Sequence, residues 1–272
     1  MISGAHAIDW NGDGDIDILT GQGHGGSGLR FYERDYINDF TGNTFPTTTV
    51  GTSDHGLNIS AAKLLANGQP VTVPQGIVTA QFTGYFYVES KDRTSGIRVE
   101  KTSHGVSVGQ RVDIVGDMAT NLSGERYISA TVITPNGSDS VAELAMSNRN
   151  LGGSDFVAGS GGQMGVTNGV GLNNVGLFVK SFGKCTVNLS STGDYDGNRY
   201  LFIDDGSGAV GWYWAIGGSY QQVAGVKVEV NDASIAVGNY VLARGACSLE
   251  LINDVYQARI LPRLGMGDVV KM

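Results

Sequence analysis

Two cysteines and five prolines are all that the 272 residues contain of either. Cys185 and Cys247 are too few and too widely spaced for a zinc site. No segment approaches the roughly 20 apolar residues of a helical membrane span, so no membrane span is expected. Met1-Ile2-Ser3-Gly4 has neither the basic start nor the apolar stretch of a signal peptide. Lys and Arg are scarce, 18 against 26 Asp and Glu, for a net charge of −8. Nucleic-acid binding through phosphates needs clustered cations, so nucleic acid is not an expected partner. Catalytic patterns are missing as well. His6, His24, His55 and His104 are scattered, and neither His-Glu-x-x-His nor Gly-x-Ser-x-Gly occurs. No catalytic residue can be named, and a binding or structural protein is expected rather than an enzyme.

Glycine, by contrast, is abundant at 42 residues, among many Val, Ile, Thr and Tyr. Such a composition makes short strands joined by tight turns, so an all-β chain is expected. The acidity is local: residues 1–60 hold eight acids and two bases, Arg30 and Arg34. Within them, Asp9-Trp10-Asn11-Gly12-Asp13-Gly14-Asp15-Ile16-Asp17 places oxygen donors at Asp9, Asn11, Asp13 and Asp17, with Asp15 beside them and Gly14 where the chain must turn. This spacing lets a loop wrap a hard cation in oxygens. Four carboxylates so close together repel one another, and a bound Ca2+ relieves that repulsion. An EF-hand would need Glu at the twelfth loop position, where Thr20 stands; the flanking Ile16–Leu19 and Leu29–Tyr32 read as strands instead.

From Ala7 to Glu33, the Asp-x-Asn-Gly-Asp-Gly-x-x-Asp core followed by Ile18-Leu19-Thr20-Gly21 and Leu29-Arg30-Phe31-Tyr32 resembles the FG-GAP (VCBS, integrin-like) repeat. The resemblance implies a calcium-binding hairpin of a β-propeller blade. It covers one copy, and a single repeat cannot bury its apolar face alone, so the rest of the chain, an upstream part or a neighbouring subunit must cover it. Millimolar calcium is found outside cells, which implies an extracellular or cell-surface setting and a processed form or fragment of an exported protein. Gly21, Gly23 and Gly26 also match Gly-x-Gly-x-x-Gly, but a strand follows where a phosphate loop needs a helix.

Residues 35–61 read as a polar connector, with Ile59 to Ala66 the best short helix candidate. Beyond it the chain repeats itself. Tyr85–Glu89, Ser95–Val99, Val106–Gly116 (VSVGQRVDIVG) and Arg126–Ile133 are echoed by Tyr200–Asp204, Gly225–Val228, Ile235–Gly245 (IAVGNYVLARG) and Val255–Leu261. First strands come from Gly76–Phe82 and Gly176–Val187. Five short strands with a Val-Gly-x-x-Val turn into the fourth resemble the OB-fold, a small Greek-key barrel, and the pair resembles the tandem OB-like modules of secreted bacterial proteins.

The expected organisation is therefore a calcium hairpin over 1–34, a connector over 35–61, OB-like five-stranded barrels over 62–147 and 175–272, and a Gly-rich junction over 148–174. That junction is either a flexible linker or a packed connection. In an OB barrel the first and fourth strands are neighbours, so Cys185 and Cys247 form a candidate disulfide, with free thiols the alternative. Trp212, Tyr213, Trp214 and Tyr220 fall in an uncharged insertion of the second barrel. Core packing, a subunit interface and a glycan platform all remain open for them. Tyr85, Phe86 and Tyr87, flanked by cations and acids in near balance, read as strand core rather than a base-stacking face. Asp194-Tyr195-Asp196-Gly197-Asn198 and Asp204-Asp205-Gly206-Ser207-Gly208 read as turns ahead of a second cation site. The expected function is an extracellular calcium-binding structural subunit, a homo-oligomer or polymer forming a filament, tube or surface layer. The alternative is a carbohydrate-binding or adhesin module of a larger secreted protein.

Overall fold

A computed structural model describes residues 5–8, 17–21, 29–32, 56–157, 162–263 and 265–272. The chain divides into two compact units, Met1–Thr52 and Ser53–Met272. In the first, β1 (Ala5–Ile8), β2 (Asp17–Gly21) and β3 (Leu29–Tyr32) form an antiparallel sheet in that order, with Ala7 opposite Ile18 and Leu19 opposite Phe31. The hairpin read from sequence thus gains a third strand, β1. The candidate calcium ligands Asp9, Asn11, Asp13 and Asp15 lie outside the described residues, as does the side chain of Asp17, whose backbone opens β2.

The second unit opens with α1 (Ile59–Ala62), capped by Asn58, whose Oδ1 accepts from the Ala61 amide at 2.8 Å. The helix is shorter than the expected Ile59–Ala66, because the chain tightens into turns through Leu64 and Leu65. Then come β4 (Pro70–Phe82), β5 (Tyr85–Glu89), β6 (Gly96–Glu100), β7 (Gln110–Thr120) and β8 (Arg126–Ser138). They close into a barrel in the order β4-β5-β6-β8-β7. Every neighbouring pair is antiparallel except β6 and β8. Inward residues such as Val78, Phe86, Val88, Ile97, Val112, Ile114 and Ile128 fill it.

After β9 (Leu144–Ala145) and a 3-10 turn at Asn148–Asn150, a second series follows: β10 (Phe178–Asn188), β11 (Leu201–Asp204), β12 (Val210–Ala215), β13 (Ser219–Ala224), β14 (Val226–Val228), β15 (Tyr240–Ile252), β16 (Val255–Leu261) and β17 (Val269–Lys271). Its strands run β15-β16-β14-β11-β10, closed by β10 on β15, with β14 and β16 parallel. Both barrels therefore place five strands in the order one-two-three-five-four with a parallel three–five pair, which is the OB-type arrangement. The molecule is all-β. β12 and β13 form a separate two-stranded hairpin inserted between the second and third strands of the second barrel.

The two barrels share one compact unit instead of standing as separate modules. Ala80 and Tyr87 of one barrel pack on Ala246 and Leu261 of the other. The buried Glu125 carboxylate accepts from Tyr87 Oη at 2.8 Å and from Ser248 Oγ at 3.0 Å, and Lys63 Nζ donates to the Val175 carbonyl at 2.8 Å. Backbones meet at Gly96 and Gly176, where an added Cβ on Gly96 would lie 2.3 Å from the Gly176 oxygen. Of the two readings of the junction, the described part fits the packed one: Asn174 Oδ1 accepts from the Gly152 amide and its Nδ2 donates to the Asn150 carbonyl.

The candidate disulfide is corrected. Cys185 and Cys247 are buried free thiols. Their strands are neighbours, as the OB order requires, but the Cys185 amide bonds to Asn239 and the Cys247 amide to Leu177. Asn239 stands just before β15 and Cys247 lies eight residues further on within it, roughly 26 Å away at about 3.3 Å per residue. A disulfide needs Cα atoms within about 7 Å.

Candidate functional site

Three segments of the second barrel converge on one groove. The loop between its first and second strands, 189–200, is folded on Asp194. One carboxylate oxygen of Asp194 accepts from the amides of Asp196 (3.0 Å) and Asn198 (2.8 Å), and the other from Tyr200 Oη (3.0 Å). This stretch is a turn organised by its own aspartate. Tyr195 at its tip is 61 % exposed. The loop between the fourth and fifth strands is a two-residue turn at Asn253 and Asp254, both with positive φ, between the paired residues Ile252 and Val255. The inserted hairpin supplies the third wall.

Strand alternation sorts the hairpin's aromatics. Tyr213 turns toward the barrel, with its ring 6.1 Å from Phe202. Trp212 and Trp214 lie on the other face, opposite Gln222 and Tyr220 respectively. The rings of Trp214 and Tyr220 meet at 4.4 Å, and Tyr195 stands edge-on to Trp214 at 5.7 Å. Tyr220 remains 43 % exposed. Core packing therefore describes Tyr213, whereas Trp214 and Tyr220 line an open groove of about 640 Å³ together with Tyr195, Asp196, Lys227, Glu250 and Asp254.

The floor is a chain of polar contacts. Lys227 is nearly buried, sits 3.9 Å over the Tyr200 ring and pairs with Glu250 at 2.7 Å. Glu250 also accepts from Gln257 Nε2 at 2.8 Å. Gln257 then clamps the hairpin: its Oε1 accepts from the Trp212 amide at 2.6 Å, and its Nε2 donates to the Trp212 carbonyl at 3.0 Å. Burial, and then the Asp194 carboxylate, push the Tyr200 hydroxyl well above its ordinary pKa, so it stays a neutral donor. Tyr195, Lys227, Glu250 and Gln257 were not among the site residues named from sequence. Tyr195 had a signal, an aromatic inside an Asp-x-Asp-Gly-Asn turn; Gln257 had none, because its partner is reached only through the fold.

The groove belongs to the second barrel. In the first, β4 and β5 are joined by Thr83 and Gly84 alone, and the loop after β7 is turned onto the junction, where Gln163 Nε2 donates to the Gly124 carbonyl. Phe86 and Tyr87 are fully buried, and Tyr85 lies under the Arg98 guanidinium at 3.7 Å, so these rings are engaged within the protein. Among the described residues, no three or more His, Cys, Asp and Glu side chains are grouped to hold a metal ion, and no helix is long and apolar enough to cross a membrane.

These features define a class: an all-β protein of tandem OB-type barrels with an aromatic-walled groove on the second. No protein-family model matches the chain, and no curated protein matches it. Among solved structures, the chain is similar to the hypothetical protein YgiW from E. coli, at 20 % identity over 34 % of this chain and 100 % of that one, with a TM-score of 0.27. It is also similar to the tetrameric p202 HIN2, at 15 % identity over 76 % and 93 % of the two chains, with a TM-score of 0.33. The strand order defines the barrels without help from either likeness.

Proposed function

We propose that this protein is a carbohydrate-binding module, not an enzyme, and that the groove of its second barrel holds an oligosaccharide. One observation carries the reading: partly buried Trp214, half-exposed Tyr220 and exposed Tyr195 wall a groove between the first–second and fourth–fifth strand loops. Those loops are where OB barrels take oligonucleotides or oligosaccharides. Charge favours the sugar. Asp194, Asp196, Glu250 and Asp254 line the groove against one cation, Lys227, already paired with Glu250. A phosphate chain is repelled there, whereas an uncharged sugar lays its C–H face on an aromatic ring and its hydroxyls on the carboxylates. The test is a binding panel of cello-, chito-, xylo- and malto-oligosaccharides with single-stranded DNA as control. One sugar class should bind, and Trp214→Ala should weaken it by about tenfold, or roughly 1.4 kcal/mol. Binding to DNA alone, or to no sugar, contradicts the reading.

A second reading is calcium-dependent assembly at an extracellular surface. Its support is the Asp9–Asp17 ligand spacing and its FG-GAP resemblance, together with the separate compaction of residues 1–52 around a sheet of three short strands. Sheets this small need a partner for their apolar face. Light scattering in millimolar calcium should show particles that dissociate on chelation and do not form with Asp13→Ala and Asp17→Ala. Particles retained in both conditions speak against it.

A further inference from the structure

We infer that the groove is the first of two subsites, and that the ligand is a linear chain running along the hairpin into a second cavity at Trp212; this rests on the oligosaccharide reading above. The second cavity, of about 450 Å³, is lined by Trp212, Gln222, Arg149, Asn168 and Gln257, among others. Two connections join it to the groove. Trp212 pairs with Gln222 and Trp214 with Tyr220, so the walls of the two cavities are adjacent rungs of one hairpin face, about 7 Å apart along the strand. The floors are also continuous, because Gln257 in the second cavity donates to Glu250 in the first.

The polar lining of the second cavity suits hydroxyl groups. Arg149 Nη2 donates to the Asn168 carbonyl at 3.2 Å, which leaves other guanidinium hydrogens for a ligand. The exposed Gln222 brings an amide with both donor and acceptor. Alternation also turns the Val210 backbone, two residues from Trp212, toward the same outer edge of β12 that Gln257 binds. A chain entering between Tyr195 and Trp214 and leaving past Arg149 contacts aromatic, then amide, then guanidinium. A mono- or disaccharide fills only one end.

The intact protein is titrated with the di-, tetra- and hexasaccharides of the cello-, chito-, xylo- and malto-series. The hexasaccharide should bind about tenfold more tightly than the disaccharide of the same series. In Trp212→Ala that ratio should collapse toward one, whereas in Trp214→Ala both affinities should fall together with the ratio kept. Gln222→Ala, at an exposed position, tests the same subsite without disturbing the hairpin and should halve the ratio or more. A ratio unchanged in Trp212→Ala and Gln222→Ala overturns the second subsite while leaving the groove reading intact. Wild-type protein that binds no saccharide of any length overturns both.

Discussion

Glu89 lies at the end of β5, 2 % exposed, with its Oε2 accepting from the Phe178 amide of the other barrel at 3.1 Å. Burial raises its carboxyl to about 7, and burial likewise raises Glu125. Burial lowers Lys63, near Glu125, to about 8. A carboxyl whose folded pKa is raised holds its proton more tightly in the folded state, so ionisation opposes folding. Stability should therefore fall as pH rises from about 5 to 7, by roughly 2 kcal/mol. Lys63 has the complementary effect: between about 8 and its ordinary value the unfolded chain binds the extra proton, so stability rises again. Below about pH 4 stability declines for a different reason, since Glu143, held at about 2 by its own amide and then by Lys180, must be protonated. Chemical denaturation across pH should show a maximum near 5 and a minimum between 7 and 8, and Glu89→Gln should flatten the fall between them. A steady rise from pH 5 to 7 contradicts this placement of Glu89.

At the scale of elements, the strands legible in the sequence were those with unbroken alternation. Tyr85–Glu89 and Val255–Leu261 coincide with β5 and β16. The repeated Val-Gly segments were read as a Val-Gly-x-x-Val turn into the fourth strand, and β7 and β15 begin after the glycines. Gly109 and Gly238 take positive φ and close turns, bonded from Gln110 to Ser107 and from Asn239 to Ala236. Only the residues beyond them enter the ladder. Gly96 was visible as a strand residue, but not as the point where two barrels touch. That contact predicts that Gly96→Ala costs about 3 kcal/mol, since the new Cβ meets backbone that cannot rotate away. Denaturant unfolding measures it, and a loss under about 0.5 kcal/mol, ordinary for a surface site, means the barrels are free to part at this point.

At the scale of the molecule, the OB order was readable because the duplication repeats the spacing of five strands. The joining of both barrels into one unit was not, because it depends on contacts such as Glu125 with Ser248, 123 residues apart. The aromatic insertion stood out in the sequence, whereas its use did not: deciding between core, interface and platform required the loop around Asp194 and the Asn253–Asp254 turn to be placed beside it. The account thus stands on Trp214 as a ligand-facing ring. The most direct measurement is the indole N–H resonance of Trp214, assigned by its loss in Trp214→Ala, followed by NMR during titration with the oligosaccharide panel. A saturable shift with one sugar class, absent with single-stranded DNA, is the predicted result. An unmoved Trp214 signal at saturating concentrations of every saccharide would contradict the account.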